Sequence, residues 1–234
     1  ADNLKKLGVE GLVVIGGDGS FTGAKCLSDE QGINVVGIPG TIDNDLAYTD
    51  YTLGFDTAVN TVLWAINALR DTMTSHDRVS LVKVMGRRCG DIALYAGICG
   101  GAEYILVPEV PYDIQKIANE IKKNREHGKT ANVIVLAEGA GNENEIKTIV
   151  SVISGTDVKV TTLGHIQRGG SPSMADRMLA AKFGVHAVNL LMEGKTNRVI
   201  GCHGQKTIDL DITEALSMKK DIDHDLYDMA AKLC

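Results

Sequence analysis

Aromatic side chains, paired cysteines and long apolar runs are all scarce in this sequence of 234 residues. Aromatic residues make up 4% of the chain and hydrophobic residues 44%, which predicts a globular core of aliphatic side chains. The five cysteines form no C-x-x-C pair and their odd number leaves no complete disulfide framework, so we expect a reducing, cytoplasmic environment. There is no charged-then-apolar leader and no run of roughly 18 apolar residues, which argues against a membrane role. The six histidines show no zinc-binding spacing.

A positive net charge is also missing, because 30 acidic residues against 24 basic ones give a formal charge of -6. Such a charge argues against nucleic acid as a partner, since its phosphates would be repelled. A small anionic substrate would need local cations instead. Six arginines lie close in sequence to glycine-rich turns: Arg70, Arg78, Arg87, Arg88, Arg168 and Arg177.

Short aliphatic runs alternate with longer amphipathic ones, which is typical of a mostly parallel sheet covered by helices. The predicted strands are 11–15, 34–38, 79–85, 104–107, 132–137 and 158–163. The longest predicted helices are 57–72 and 173–192, whose apolar residues recur at spacings of three and four. The pattern therefore predicts an α/β fold, and the length leaves one large unit or two lobes open.

The N-terminal residues 2–7 resemble the end of a helix with no beginning, and residue 1 is an alanine. A doubly wound sheet normally forms its first phosphate-binding turn after its first strand. We therefore expect the sequence to be a fragment that lacks its N-terminal part, so that strand 11–15 is not the first strand of the sheet.

A glycine-rich turn follows the first predicted strand in the sequence VVIGGDGS at 13–20. Glycines let the backbone approach a phosphate, a helix N-terminus attracts anions, and a carboxylate in the turn can hold Mg²⁺. We expect Ser20 to cap the helix that follows. By itself this motif is equally a plain turn.

The second predicted strand runs into IPGTIDND at 38–45, again at the carboxyl end of a strand, where open α/β sheets place their ligands. Two carboxylates two residues apart fit a site in which one deprotonates a hydroxyl and the other orients a sugar or a metal. A solvated Asx turn is the alternative interpretation.

Four further motifs follow in the chain: MGRRCGD at 85–91, PEV at 108–110, AEG at 137–139 and LGHIQRGGSP at 163–172. Each motif alone is a weak signal. All six, in this order and over essentially the whole chain, resemble the phosphofructokinase family, and within it the ATP-dependent bacterial members. That resemblance implies a glycolytic enzyme that moves the γ-phosphoryl of MgATP to the 1-hydroxyl of fructose 6-phosphate.

The resemblance also implies roles for individual residues. It places the ATP phosphates at Gly17, Asp18, Gly19 and Ser20, with Mg²⁺ at Asp18. Asp43 would be the general base, with Thr41 and Asp45 positioning the reacting groups, and Arg87 would neutralise the charge on the transferred phosphoryl. The sugar phosphate would be held by Met85, Gly86, Arg87, Glu138, His165 and Arg168.

Two further basic residues stand where a neighbouring subunit reaches the 6-phosphate in the family. These are Arg78 and Lys159, the second in place of the usual arginine, and lysine keeps the charge but loses the planar fork. A homotetramer is implied. Bacterial members also bind ADP or phosphoenolpyruvate between subunits, and the matching positions are Arg70, Gly101, Glu103 and Lys129. His127 stands where lysine is frequent, so the response to effectors stays open.

Two glycines bear on the phosphoryl donor. Pyrophosphate-using relatives typically carry an acidic residue in place of Gly19 and a lysine in place of Gly40. Bulk at the first position would crowd the α-phosphate of a nucleotide, so the two glycines favour ATP.

By the same resemblance the fold is two three-layer α/β lobes with mostly parallel sheets and the active site in the cleft between them. Residues 1–54 and 167–217 would form the ATP-binding lobe, and residues 55–166 and 218–234 the lobe for fructose 6-phosphate. Three alternatives remain: a catalytically incomplete piece that only binds sugar phosphate or assembles, a pyrophosphate-dependent phosphofructokinase, and another nucleotide kinase that shares only the first glycine turn.

Overall fold

The structure is a computed structural model that describes residues 1–73, 78–129 and 131–233. Its helices are α1 Asp2–Lys6, α2 Asp18–Gln31, α3 Phe55–Met73, α4 Asp91–Cys99, α5 Ile114–Glu126, α6 Glu143–Ser154, α7 Met174–Met192, α8 Ile212–Ser217 and α9 His224–Leu233. Its strands are β1 Leu12–Gly16, β2 Val35–Pro39, β3 Val79–Val84, β4 Tyr104–Leu106, β5 Asn132–Ala137, β6 Val158–Thr162, β7 Arg198–His203 and β8 Lys206–Asp211. A short 3₁₀ turn occupies Gly164–Arg168. The chain divides into unit 1, Ala1–Asp56 with Pro172–Lys220, and unit 2, Thr57–Ser171 with Asp221–Cys234.

Unit 1 has a sheet in the order β1-β2-β7-β8, in which β1, β2 and β7 are parallel and β8 is antiparallel to β7. Helix α7 covers one face through Phe183, Ala187 and Leu190, which pack with the aliphatic residues of β2 and β7. Helices α2 and α8 cover the other face, where Phe21 is completely buried. The unit therefore has three layers, as a sheet that is apolar on both faces requires.

The hairpin β7–β8 has no counterpart among the predicted strands. Its two strands pair from Arg198 with Asp211 to His203 with Lys206, which leaves Gly204 and Gln205 as a two-residue turn. Gly204 has φ +56°, the left-handed conformation that such tight turns need. The antiparallel edge makes the sheet mixed, within a fold that is otherwise parallel as predicted.

Unit 2 has a fully parallel sheet in the order β4-β5-β3-β6. Helices α5 and α6 pack on one face with a buried cluster that includes Leu81, Ile134 and Leu136, and α4 packs against β4 and β5. All residues of β5 are buried, as expected for a strand covered on both faces. Strand β3 lies between β5 and β6, so the loops that follow these three strands meet at one edge of the sheet.

The two units differ from the predicted lobes at residues 55–56, 167–171 and 218–220. Residues 167–171 belong to unit 2, whereas the sequence analysis placed them in the first lobe. At the start of this segment the Gln167 side chain accepts a hydrogen bond from Met85 N at 3.2 Å and donates one to Gly164 O at 2.9 Å. Both partners lie in unit 2.

The sequence analysis predicted neither a disulfide framework nor a membrane-spanning helix. Cys26 and Cys99 are exposed free thiols, Cys89 and Cys202 are buried free thiols, and Cys234 lies outside the described residues. Among the described helices, none is both apolar and long enough to cross a lipid bilayer.

Candidate active site

The glycine-rich turn in unit 1 joins β1 to α2. Gly17 is the N-cap, with an extended backbone and no side-chain cap, and the helix begins at Asp18. Ser20 is therefore not the cap that we expected. Its side chain lies against Gly16 instead, since a Cβ added to Gly16 would be 2.3 Å from Ser20 Oγ. Asp18, Gly19 and Ser20 are exposed, so the first turn of α2 presents an open, partially positive helix end.

The loop after β2 lies directly beside this turn. Gly40 N donates a hydrogen bond to Gly16 O at 2.9 Å, and a Cβ on Gly40 would be 2.7 Å from Ile15 Cγ2. A Cβ on Gly17 would be 3.8 Å from Thr41 Cβ. The parallel pairing of β1 and β2 thus brings the two predicted motifs of unit 1 together at the carboxyl end of the sheet.

Asp43 is held within that loop by local hydrogen bonds. Its backbone N–H donates to Thr41 Oγ1 at 3.2 Å, and Thr52 Oγ1 donates to Thr41 O at 2.6 Å. Asn44 has φ +52°, a conformation that asparagine tolerates, and its side chain donates to Asp50 O at 3.1 Å. Asp43 is only 3% exposed, whereas Thr41 and Asp45 are partly exposed. The loop therefore fixes a carboxylate in a poorly solvated position near the helix end.

Two residues that the sequence analysis missed support this part of unit 1. Asp176, near the start of α7, accepts a hydrogen bond from Gly54 N at 2.8 Å and so fixes the end of the loop that carries Asp43. Tyr48 is 3% exposed, and burial, with the nearby negative charge of Asp18 adding to it, raises the pKa of its hydroxyl well above the ordinary value. The Ser173-x-x-Asp176 pattern at the start of α7 is a helix-capping signal that could have identified Asp176 in the sequence. The sequence around Tyr48 contains no such signal.

In unit 2 the loops after β3, β5 and β6 bring together the residues predicted to hold the sugar phosphate. Arg87 N donates a hydrogen bond to Glu138 Oε1 at 2.7 Å, which joins the loop after β3 to the loop after β5. His165 and Arg168 lie on the 3₁₀ turn after β6 and are exposed, as is Arg87. Met85 and Gly86 are buried. The result is a cluster of exposed cationic and imidazole groups at one edge of a rigid sheet, which suits an anionic ligand.

The same edge contains a half-buried carboxylate that the sequence analysis did not assign. Glu109, in the PEV motif, accepts a hydrogen bond from Gly90 N at 2.8 Å. Burial raises the pKa of the Glu109 carboxyl, although the bond from Gly90 opposes that rise. Glu109 thus holds the end of the 85–91 motif, where α4 begins.

Arg78 and Lys159 lie at the opposite, amino end of the unit 2 sheet. Both face Asp157 Oδ2, Lys159 Nζ at 3.0 Å and Arg78 Nε at 3.5 Å, and the hydrogen bond from Lys159, with Arg78 adding its charge, lowers the pKa of Asp157. The six residues of β3 separate Arg78 from Arg87, a span of roughly 20 Å at about 3.3 Å per residue, and Lys159 pairs with Ser80 near the start of the same strand. The structure therefore does not bring these two cations to the cluster around Arg87 in the same chain.

The four predicted effector residues form two contacts close together in unit 2. Arg70 donates to the carbonyl oxygens of Gly100 and Gly101, and Gly101 has φ +64°. Lys129 Nζ lies 3.4 Å from Glu103 Oε1, while Glu103 Oε2 accepts from Val133 N at 2.6 Å. Their hydrogen bonds support the backbone around 100–103.

Comparison with known proteins identifies what this arrangement is similar to. A family model described as phosphofructokinase matches residues 1–191. The chain is 59% identical over 232 residues to an ATP-dependent 6-phosphofructokinase of Clostridium tetani and 56% identical over 230 residues to one of Clostridium botulinum, and it spans 72% of each. A solved structure of phosphofructokinase from Saccharomyces cerevisiae matches with a TM-score of 0.84 at 33% identity, over 91% of this chain and 33% of that one.

Proposed function

The chain belongs to the phosphofructokinase family, and we propose that it catalyses transfer of the γ-phosphoryl of MgATP to the 1-hydroxyl of fructose 6-phosphate, giving fructose 1,6-bisphosphate and ADP. The observation that carries the proposal is the hydrogen bond from Gly40 N to Gly16 O, which holds the loop of Asp43 beside the helix end at Asp18. Phosphoryl transfer depends mainly on positioning and on stabilising charge. This contact supports the proposal because it holds the loop that carries Asp43 beside the first turn of α2. The relatives named above are ATP-dependent 6-phosphofructokinases.

In unit 1 we assign the nucleotide phosphates to the first turn of α2. The N–H groups at Gly19 and Ser20 and the dipole of a 14-residue helix favour phosphate there. Asp43 takes the proton from the 1-hydroxyl as that oxygen attacks, and Thr41 and Asp45 orient the reacting groups. The burial of Asp43 suits this role, because a poorly solvated carboxylate needs little solvent rearrangement before it accepts a proton.

Magnesium is assigned to Asp18. Among the described residues no three His, Cys, Asp or Glu side chains cluster as a ready metal cage. An exposed single carboxylate at the phosphate turn nevertheless fits Mg²⁺, which usually binds one or two carboxylates together with phosphate oxygens and water. When bound, the ion neutralises charge on the nucleotide phosphates, and the residues of this chain position it.

We expect Asp18→Asn to raise the Mg²⁺ concentration needed for half-maximal activity by about tenfold or more, the size of loss that even outer carboxylate partners of a metal produce. The measurement is a Mg²⁺ titration at fixed ATP in the complete gene product. Asp29→Asn, which changes the same charge at the exposed end of the same helix, serves as the control. An unchanged Mg²⁺ requirement for Asp18→Asn would remove this residue from the metal site.

In unit 2 we assign fructose 6-phosphate to the cluster made by Met85, Gly86, Arg87, Glu138, His165 and Arg168. Arg87 stabilises the charge of the transferred phosphoryl, since a guanidinium is permanently charged and binds phosphate through two parallel hydrogen bonds. Glu138 has a double role, because one of its oxygens already holds the backbone of Arg87. His165 binds and does not transfer protons in this scheme.

Arg78 and Lys159 act in the proposal on the 6-phosphate bound by a neighbouring subunit, within a homotetramer in the cytoplasm. Their place at the amino end of the sheet, far from Arg87, supports a role outside the site of their own chain. Binding of ADP or phosphoenolpyruvate near Arg70, Gly101, Glu103 and Lys129 is the corresponding proposal for an effector.

ATP is the proposed donor on account of Gly19 and Gly40. A Cβ added to Gly19 meets no atom within 4 Å, and Gly19 is not among the glycines with positive φ. The protein itself therefore has room for a side chain at position 19. Any penalty of a larger residue there would come from the nucleotide.

We expect Gly19→Asp to lower kcat/KM for ATP by at least about tenfold, through crowding and repulsion at the phosphates, with an unchanged melting temperature and unchanged KM for fructose 6-phosphate. The matched control is Gly23→Asp, which adds the same charge one turn further along α2, also without contacts. Equal losses in the two variants would contradict a nucleotide contact at position 19.

The proposed function is tested by a coupled assay of fructose 1,6-bisphosphate formation with ATP and, separately, with pyrophosphate. The 234-residue chain and the complete gene product are assayed side by side. ATP-dependent turnover by the complete product is the expected result. Turnover with pyrophosphate alone would overturn the donor assignment, and binding of fructose 6-phosphate without turnover in the complete product would overturn the assignment as a kinase.

A further inference from the structure

The loop Met85–Gly86–Arg87 after β3 has an unusual backbone. Gly86 has φ +133° and Arg87 has φ +53°, so two consecutive residues lie on the side of the Ramachandran plot that L-amino acids avoid. A Cβ on Gly86 would lie 2.4 Å from Cys89 O, which allows only glycine there. Backbone of this kind keeps its shape only when its surroundings hold it from several directions.

The loop after β5 supports Arg87 from one side. Glu138 Oε1 accepts from Arg87 N at 2.7 Å, and Glu138 N donates to Val84 O at 2.9 Å. A Cβ on Gly139 would be 2.2 Å from Arg87 O, so the backbone of the two loops is in close contact. These contacts hold Val84 and Arg87, on either side of Met85 and Gly86. The hydrogen bond to Met85 itself comes from another segment.

Gln167 supports the loop from the other side, where the 3₁₀ turn follows β6. The side chain is 1% exposed, its Oε1 accepts from Met85 N at 3.2 Å, and its Nε2 donates to Gly164 O at 2.9 Å. One side-chain amide thus accepts a hydrogen bond from the neighbouring loop and donates one to its own turn. Among side chains that do not titrate, only asparagine and glutamine combine a donor and an acceptor in one planar group, and asparagine is one methylene shorter.

We propose that Gln167 is a positioning residue for the sugar phosphate: it couples the turn that carries His165 and Arg168 to the loop that carries Arg87, and thereby sets the affinity for fructose 6-phosphate. The inference rests on the proposed function, since it concerns the ligand assigned to this edge of unit 2. Gln167 itself is buried and does not touch the ligand. Its effect is to keep two sets of ligand-binding groups in register.

Two substitutions separate this role from a general contribution to stability. Gln167→Leu removes both hydrogen bonds and leaves Met85 N and Gly164 O without them. Gln167→Glu keeps the acceptor for Met85 N, but a carboxylate faces Gly164 O with no proton to donate, whereas the protonated acid restores the pattern of the amide. The charged and titratable groups of the adjoining segments are His165 and Arg168 on the turn and Arg87 and Glu138 on the loops.

The test measures fructose 6-phosphate binding by calorimetry and the KM values for both substrates, in the complete gene product. We expect Gln167→Leu to weaken fructose 6-phosphate binding by on the order of 10²-fold, the loss that a displacement of about 1 Å produces, with the KM for ATP nearly unchanged. Gln167→Glu should show a similar loss at pH 8 and recover relative to wild type as the pH falls towards 6. Gln115→Leu and Gln115→Glu, at an exposed position on α5, are the controls.

Hydrogen exchange of the Met85 amide gives an independent reading of the coupling. It should be slow in the wild type and in the Gln115 variants, and faster in Gln167→Leu.

Wild-type affinity for fructose 6-phosphate in both Gln167 variants would overturn the inference and leave the proposed function standing. Equal loss of ATP and sugar affinity would also overturn it, because that pattern indicates general destabilisation. If Gln167→Leu does not fold, the pH response of Gln167→Glu decides. Wild-type protein that neither binds nor phosphorylates fructose 6-phosphate would instead defeat the proposed function.

Discussion

Replacing Asp43 with serine or asparagine in the complete gene product should lower kcat by roughly 10²–10⁴, the usual contribution of a general base. Neither side chain can take the proton from the 1-hydroxyl at neutral pH. The KM for fructose 6-phosphate should change much less, because the sugar phosphate is assigned to groups in unit 2. Steady-state kinetics with varied fructose 6-phosphate at saturating MgATP measure both constants.

Asp29→Ser is the control for that experiment, since it removes a carboxylate from an exposed position of unit 1. The melting temperature of each Asp43 variant is measured as well, so that a loss of kcat is distinguished from a loss of folded protein. A kcat within a few-fold of wild type would remove Asp43 from the role of base. The neighbouring Asp45 would then be the next candidate.

Replacing Arg87 with methionine should lower kcat/KM by roughly 10²–10³, which is typical when one group that stabilises transition-state charge is lost. Arg87→Lys should recover only part of the loss, because lysine restores the charge but not the paired hydrogen bonds. Arginine, lysine and methionine carry similar unbranched stems at a residue with φ +53°, so the backbone strain is equal in all three. The comparison therefore isolates the charged end of the side chain.

The adjacent Arg88 offers a matched control. It is exposed like Arg87 and lies in the same motif, but it has no assigned ligand contact. Arg88→Met should leave kcat/KM within about threefold of wild type, as expected for an exposed substitution. Equal effects at positions 87 and 88 would point to the overall charge of the loop and would contradict a specific role for Arg87.

All parallel strands except β7 were predicted, because their burial leaves a direct mark on the sequence. Strands β3 and β5 are covered on both faces and appear as aliphatic runs, and β5 has the predicted bounds 132–137. In the hairpin β7–β8 that mark is confined to the four buried residues 199–202 of β7. Its strands begin or end with Arg198, His203, Lys206 and Asp211, and β8 is only partly buried, so an edge strand looked like a polar loop.

The candidate site was predictable where a motif follows a strand, and less so where one side chain supports another segment. Asp18 and Asp43 come after β1 and β2, and parallel pairing alone places them together. Gln167 and Met85 are 82 residues apart, and their contact depends on the burial of one amide between two loops. Ser20 shows the opposite error, because a helix cap was inferred from residue type while Gly17 occupies the cap and Ser20 packs on Gly16.

The separation of Arg78 and Lys159 from Arg87 across the sheet of unit 2 bears on how many copies of the chain one active site needs. A fructose phosphate is much shorter than the roughly 20 Å of backbone between Arg78 and Arg87, and Lys159 lies beside Ser80 at the same amino end of the sheet. We therefore do not expect one ligand molecule to contact both sets of cations in one polypeptide. If both sets of cations serve one reaction, every working centre draws on at least two copies of the chain. Specific activity would then fall on dilution, as the copies dissociate, even though each polypeptide remains folded.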